Sequence, residues 1–243
     1  MTSSPLIDHL SELRKRLLYT CVIVFIGSVV GFIFYSALVQ WLIAPYANLS
    51  LNSDHTLYVN SLLEGFVTKI KFSVYSGLFL SVPFILYHIL RFVIPGLTFK
   101  EKRTLLFALC ISTLLAGASF YLTYFRLIPY SIQFLSSAQF IPPHIGLILN
   151  FYHNIFYIFN LLIAAMILFQ LPILLGCLLY LNILKRAPLW KAGRYIIIGI
   201  LILSAIVTPP DIVTQLSISL PLTLLYFMVL VVAKIMNWGN DND

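Results

Sequence analysis

Only eight of the 243 residues are acidic, so each carboxylate can be weighed for the chemistry it offers. Glu12 lies in His9-Leu10-Ser11-Glu12-Leu13-Arg14-Lys15-Arg16 and Glu101 in Lys100-Glu101-Lys102-Arg103, each a lone acid within a basic cluster. Each has a purely structural use. Glu12 stands one helical turn before Arg16, a pair worth about 0.3–0.5 kcal/mol. Glu101 has the N3 spacing of a capping box opened by Thr98. Turned outward on one side of a membrane, the two carboxylates would instead suit a cationic ligand. Asp211 follows Thr208-Pro209-Pro210, which reads as an N-cap, a proline at the first helical position and an acid near the helix dipole. Gln170 lies deep in an apolar stretch, where its amide either bonds within a helix bundle or docks another membrane helix. The five histidines lack metal-ligand spacing, and no HExxH, GxSxG, Walker or GxGxxG motif occurs. No enzyme, metal site or cofactor is expected. His88, late in an apolar stretch, reads as an interfacial hydrogen-bonder before a proton relay.

The elements that must position these groups are set by charge. Asp54 is the one charged residue between Leu17 and Tyr58, and none occurs between Leu127 and Leu184. A water-soluble chain needs a hydrated surface and cannot leave such stretches bare; a bilayer protein can. The composition agrees, at 60% hydrophobic and 9% charged with a mean hydropathy of +0.98. The net charge of +7 sits between apolar spans, where it reads as membrane anchoring and not as a phosphate-binding face, so nucleic acid is excluded as a partner. Cys21, Cys110 and Cys177 fall inside apolar stretches and read as buried small side chains. The first span is too long for a signal-peptide core and lacks a cleavage site, so retention is expected.

Six spans are predicted, at about 17–38, 62–91, 105–125, 155–184, 195–208 and 212–233, in one all-α membrane domain covering residues 1–243. Residues 1–16 form an amphipathic arm with Leu6, Leu10, Leu13 and Leu17 on one face. Gly27 and Gly31 have the spacing that admits a close helix neighbour. Ser61 and Glu64 form a capping box, Lys69 and Lys71 snorkel from the second span, and Pro83 kinks it. Residues 129–150, with Pro142-Pro143, are predicted to be an exterior connection too broken for helix throughout. The fifth span is short, so the bilayer must thin there or the segment is partly re-entrant. The tail after Lys234 is expected to fray. Twelve of the fifteen Lys and Arg residues fall on one side of these spans and three, Lys69, Lys71 and Arg126, on the other, which puts both termini in the cytoplasm.

His9 through Leu17 resembles the amino-terminal signature of the TatC family, the multi-spanning subunits of twin-arginine protein translocases. So do Phe92-Val93-Ile94-Pro95-Gly96-Leu97 with Glu101-Lys102-Arg103 after it, Ala44-Pro45, Phe169-Gln170-Leu171-Pro172, Arg194-Tyr195 and Thr208-Pro209-Pro210-Asp211. The motifs run in order along essentially the whole chain. The resemblance implies a concave, glove-like six-helix bundle whose last two helices are short. It implies a receptor for signal peptides with consecutive arginines, in a self-associating complex that exports folded proteins using the proton-motive force. Glu12 and Glu101 would contact the arginine pair, with Arg14, Phe92, Pro95 and Leu97 in the same signatures. Gln170, Thr208 and Gln215 would face the single-span partners TatA and TatB, while Pro45, Pro172, Pro209, Pro210 and Asp211 would be structural. A bacterial cytoplasmic membrane is implied first, a thylakoid or mitochondrial inner membrane next. The family often has Glu where this chain has Gln170, and an amide cannot titrate. The rival reading, a small secondary transporter or channel, calls for polar groups lining several spans, and only Gln170 is evidently deep.

Overall fold

The computed structural model describes residues 5–48, 57–93, 99–137, 139–141, 148–209 and 211–240; at 5–10, 12–13, 47–48, 89–90, 92–93 and 99–105 it describes the backbone alone. The described residues are helical apart from turns and one isolated bridge, Tyr58 to Asn150. They divide into two compact units, Met1–Trp41 with Val59–Thr113, and Leu42–Tyr58 with Leu114–Asp243.

In the first unit, α1 (Pro5–Ile33) joins the amphipathic arm and the first span in one helix. A turn at Phe34 separates it from α2 (Tyr35–Ile43). Leu17, Phe25 and Ile33 are each more than 60% exposed, which only an apolar solvent tolerates along a whole helix. α1 packs on α3 (Leu62–Leu80) through glycines, as the Gly27/Gly31 spacing predicts. A Cβ on Gly27 would lie 3.0 Å from the Gly77 Cα, and one on Gly77 would lie 2.6 Å from the Val24 carbonyl oxygen. The backbones touch because neither side carries a side chain. The Ser61 hydroxyl accepts from the Glu64 N–H at 3.1 Å, and the Glu64 carboxylate accepts from the Asn60 N–H at 2.5 Å, so the capping box forms with its return bond one residue early. The Lys69 ammonium lies 4.2 Å from the Phe32 ring centre and 5.6 Å from that of Tyr35, a cation–π seat beside the first helix. α4 (Val82–Val93) leaves α3 at 53°, two residues before Pro83, as a proline that removes a helix N–H requires. α5 (Phe99–Leu122) follows.

In the second unit, helix continues from α5 through a π turn (Thr123–Leu127) into α6 (Ile128–Leu135), a run of 30 residues from Leu106. This corrects the predicted end near 125 and the broken connection from 129. Pro129 would collide with the carbonyl four residues back in an α-helix; the π turn widens the ladder, with the Ile128 N–H donating to the Thr123 carbonyl, and the helix survives. α7 (Phe151–Leu168) begins earlier than expected because the Asn150 side chain caps it, accepting from the His153 N–H at 2.9 Å. The bridge at Tyr58 holds this end, with the Phe151 N–H donating to the Tyr58 carbonyl at 2.8 Å. α7 breaks at Phe169-Gln170 before α8 (Leu171–Tyr180), where Pro172 stands in the first turn. α9 (Arg186–Lys191) precedes α10 (Gly193–Val207) and α11 (Ile212–Ile235).

α10 has 15 residues, about 22 Å, and cannot cross an apolar core of about 30 Å without thinning it. α11 has 24 residues, about 36 Å, so the expectation that both last helices are short holds only for α10. Leu179, Tyr226, Leu230 and Ala233 form a core between α8 and α11, and the Tyr226 hydroxyl donates to the Leu189 carbonyl at 2.8 Å. The tail does not fray at once. Trp238 packs edge-on to Tyr180, the Gly239 N–H donates to the Asn182 side chain at 2.9 Å, and the Gly239 carbonyl accepts from the Arg186 N–H at 2.9 Å. Gly239 is required there: its φ is +58°, and a Cβ would lie 2.7 Å from the Leu184 carbonyl oxygen.

Candidate functional site

The described residues build two of the expected polar positions in full, both in the second unit. At the α10–α11 turn, Asp211 itself is the N-cap of α11, which corrects the reading of Thr208 as that cap. The Asp211 carboxylate is buried and accepts from the Thr214 N–H at 2.7 Å and from the Thr214 hydroxyl. Thr208 instead ends α10. Its hydroxyl is buried and donates to the Ser204 carbonyl at 2.9 Å. The two prolines separate the helices, so the residue after them begins the next one; the acid near the dipole was legible, and its exact role was not. Pro209 is buried, and Pro210 lies outside the described residues.

Gln215 ties the hairpin together. Its side-chain amide N–H donates to the Leu201 carbonyl at 3.1 Å, which also accepts from the Ser204 hydroxyl at 3.0 Å. The Gln215 amide oxygen accepts nothing from the described residues. Around it Ile206, Ile212 and Val213 are at least 60% exposed. The patch therefore offers one acceptor within an apolar surface, while the hydroxyls of Thr208, Ser204 and Thr214 serve the turn itself.

Gln170 sits at the α7–α8 break, half-buried, and its carbonyl accepts from Ile173 and Leu174 at 3.1 and 3.0 Å. Gln170 has a further interaction and is not without a partner. The preceding Phe169 is buried and lines a cavity of about 360 Å³ together with Ser217 and Ile218 of α11. Thr123, Arg126 and Leu127 of the π turn, with Leu122 and Tyr130 on either side, complete it. The sequence presents Arg126 only as an outer charge and gives Thr214 no role. The Asp-x-x-Thr spacing could have revealed Thr214; nothing local reveals that Arg126 meets α11. Pro172 is buried in the first turn of α8. Pro45 is buried in a tight turn, Ala44–Asn48, beside Tyr46, whose hydroxyl reaches the Asn154 carbonyl at 3.5 Å. Burial pushes the Tyr46 hydroxyl well above the usual phenol range.

In the first unit Arg14 is exposed, and the Arg16 guanidinium donates to the His88 carbonyl at 3.3 Å. The side chains of Glu12, Phe92 and Glu101, and Thr98, Pro95 and Leu97 entirely, lie outside the described residues.

The family model of the Sec-independent protein translocase protein TatC matches residues 8–221. The chain belongs to the TatC family. Among its relatives are the Sec-independent protein translocase protein TatC of Synechocystis, 34% identical over 84% of this chain and 77% of that protein, and that of Desulforapulum autotrophicum, 31% identical over 99% and 88%. The crystal structure of the twin arginine translocase receptor TatC in DDM aligns with a TM-score of 0.78 at 29% identity, covering 92% of this chain and 98% of that one. With four helices among the described residues long and apolar enough to cross a membrane, and a fifth where α3 and α4 pair, the chain is a multi-pass membrane protein of a protein translocase family.

Proposed function

We propose that this TatC-family chain binds signal peptides with consecutive arginines at its cytoplasmic face and takes part in proton-motive-force-driven export of folded proteins. The observation that carries the reading is the family match from residue 8 to residue 221, which takes in both lone glutamates and their motifs. The likeness to a solved twin arginine translocase receptor supports it. In this reading Glu12 and Glu101 receive the two guanidinium groups. Each guanidinium presents a planar fork that a carboxylate can accept bidentately, and lysine has no such fork. Exposed ion pairs contribute only about 0.2–1 kcal/mol, so apolar contacts from Phe92, Pro95 and Leu97 must add to them. Arg14 and its basic neighbours repel peptides that do not engage the acids. Because α1 is continuous from Pro5, the arm bearing Glu12 is fixed to the first span.

The proposed membrane domain is a single one with six spans, the five long enough to cross plus the short α10, in a concave arrangement with both termini in the cytoplasm. TatA- and TatB-like single-span helices dock at Gln170, Thr208 and Gln215, and at Gln215 an amide oxygen unmatched among the described residues sits with exposed isoleucine and valine. Copies of the chain associate in the receptor complex, in a bacterial cytoplasmic membrane. Since the Gln170 amide does not titrate, proton coupling that needs a titratable group does not run through it.

The test is photo-crosslinking of a twin-arginine precursor to positions flanking Glu12 and Glu101, with Glu101→Ala and Glu101→Gln compared. Ala should abolish export and weaken binding. Gln serves a capping box as well as Glu does, so a Gln variant that binds as tightly as the parent would refute the ligand role.

A further inference from the structure

We propose that the cavity at Arg126 is a binding site for the phosphodiester of an anionic phospholipid. Three observations carry this. First, Arg126 lies 20 residues beyond Leu106, where the third apolar run begins, a rise of about 30 Å, which matches the apolar thickness of a bilayer and brings the guanidinium to the level of lipid phosphates. Second, the charge is unmatched. Arg126 makes no hydrogen bond or ion pair among the described residues, and the cavity lining contains no carboxylate. The acid on the neighbouring hairpin, Asp211, is committed to Thr214 through both of its oxygens. At the level of the phosphates an exposed guanidinium with no protein partner among the described residues attracts an anion, and a lipid phosphate is the anion a membrane always supplies. Third, the site has shape and donors. The π turn forced by Pro129 widens the helix at Arg126, and the cavity of about 360 Å³ has room for a phosphoglycerol group. The Tyr130 and Thr123 side chains line it beside the guanidinium fork, which suits two phosphate oxygens.

The choice of an anionic lipid follows from the same lining. A zwitterionic headgroup would bring an ammonium beside the guanidinium with no acid to receive it. The apolar surface next to the cavity, Leu122 and Phe125 on one helix and Leu216 and Leu220 on the other, is exposed and offers a bed for acyl chains.

The experiment uses the full chain in detergent, delipidated and titrated with phosphatidylglycerol, phosphatidylcholine or inorganic phosphate, with bound lipid counted by native mass spectrometry and stability followed by thermal unfolding. One phosphatidylglycerol should bind per chain and raise the melting temperature, with phosphatidylcholine and phosphate having little effect. Arg126→Gln should weaken phosphatidylglycerol binding by about tenfold, the scale of one lost charge-assisted bond, and Tyr130→Phe, which removes only a hydroxyl, by less. If Arg126→Gln folds and binds phosphatidylglycerol as the parent does, the site is refuted. If it fails to fold, an unchanged affinity in Tyr130→Phe refutes the site as drawn. Equal binding of phosphatidylcholine overturns the anionic choice. Equal stabilisation by inorganic phosphate overturns the lipid assignment.

Discussion

Replacing Gly77 by alanine drives two backbones apart, and the cost can be worked from the contact. A Cβ at Gly77 would stand 2.2 Å from the Ser28 hydroxyl, 2.5 Å from the Ser28 backbone nitrogen and 2.6 Å from the Val24 carbonyl oxygen. The hydroxyl can rotate, at the cost of its 2.8 Å bond to the Val24 carbonyl. The other two atoms are main chain and move only with α1. Ordinary contact begins at 3.4 Å, so α1 and α3 must separate by about 0.9 Å along the Gly27–Gly31 seam, where a Cβ on Gly31 would lie 2.7 Å from Ser76. Overpacking of this kind costs about 1–3 kcal/mol. Two fixed backbone atoms place Gly77→Ala in the upper half of that range, and 2 kcal/mol is about a thirtyfold change in the folded ratio. Gly117 and Gly199 are the controls, since a Cβ at either meets nothing within 4 Å. In those helices alanine should be neutral or stabilising by up to about 1 kcal/mol. The assay is reversible unfolding in mixed micelles, with disulfide trapping between α1 and α3 as a local readout. If Gly77→Ala unfolds within 0.5 kcal/mol of Gly117→Ala and traps equally well, the close-approach account of this seam is wrong.

The remaining expectations concern topology and the partner face. With Cys21, Cys110 and Cys177 replaced, single cysteines at Asn52 and Gln139 should label from outside the membrane, and those at Lys100 and Asn240 from inside; external labelling at Lys100 would reverse the orientation. Gln170→Leu should weaken capture of a single-span partner by roughly 0.6 kcal/mol, the typical size of an interhelical polar contact, without loss of signal-peptide binding. Crosslinks from positions flanking Gln170 should reach TatA- or TatB-like helices; if none form while Gln170→Leu collapses expression, Gln170 is a bundle contact.

What could be read from the sequence was whatever depends on neighbours a few residues away. The absence of charge from 127 to 184 dictates a lipid solvent. Pro83 dictates a bend, realised at 53°. Arg194 and the prolines after Val207 bound a helix too short for the bilayer. Gly27 and Gly31 announce a close neighbour without naming it. The family followed from the order of the motifs. Tertiary structure decided the rest. Helix persists through Pro129 because a π turn supplies a second way to satisfy the backbone, and its choice depends on what packs against Tyr124, Leu127 and Ile128. Asp211, not Thr208, caps α11 because the hairpin must reverse between them before a new helix can start. The tail is held because Asn182 and Arg186, more than fifty residues away, meet Gly239. Arg126 acquires a cavity only when α11 closes over the π turn. Contacts between distant segments carry no local periodicity; they arise when burial of apolar area selects one packing, and only then do lone polar groups acquire partners.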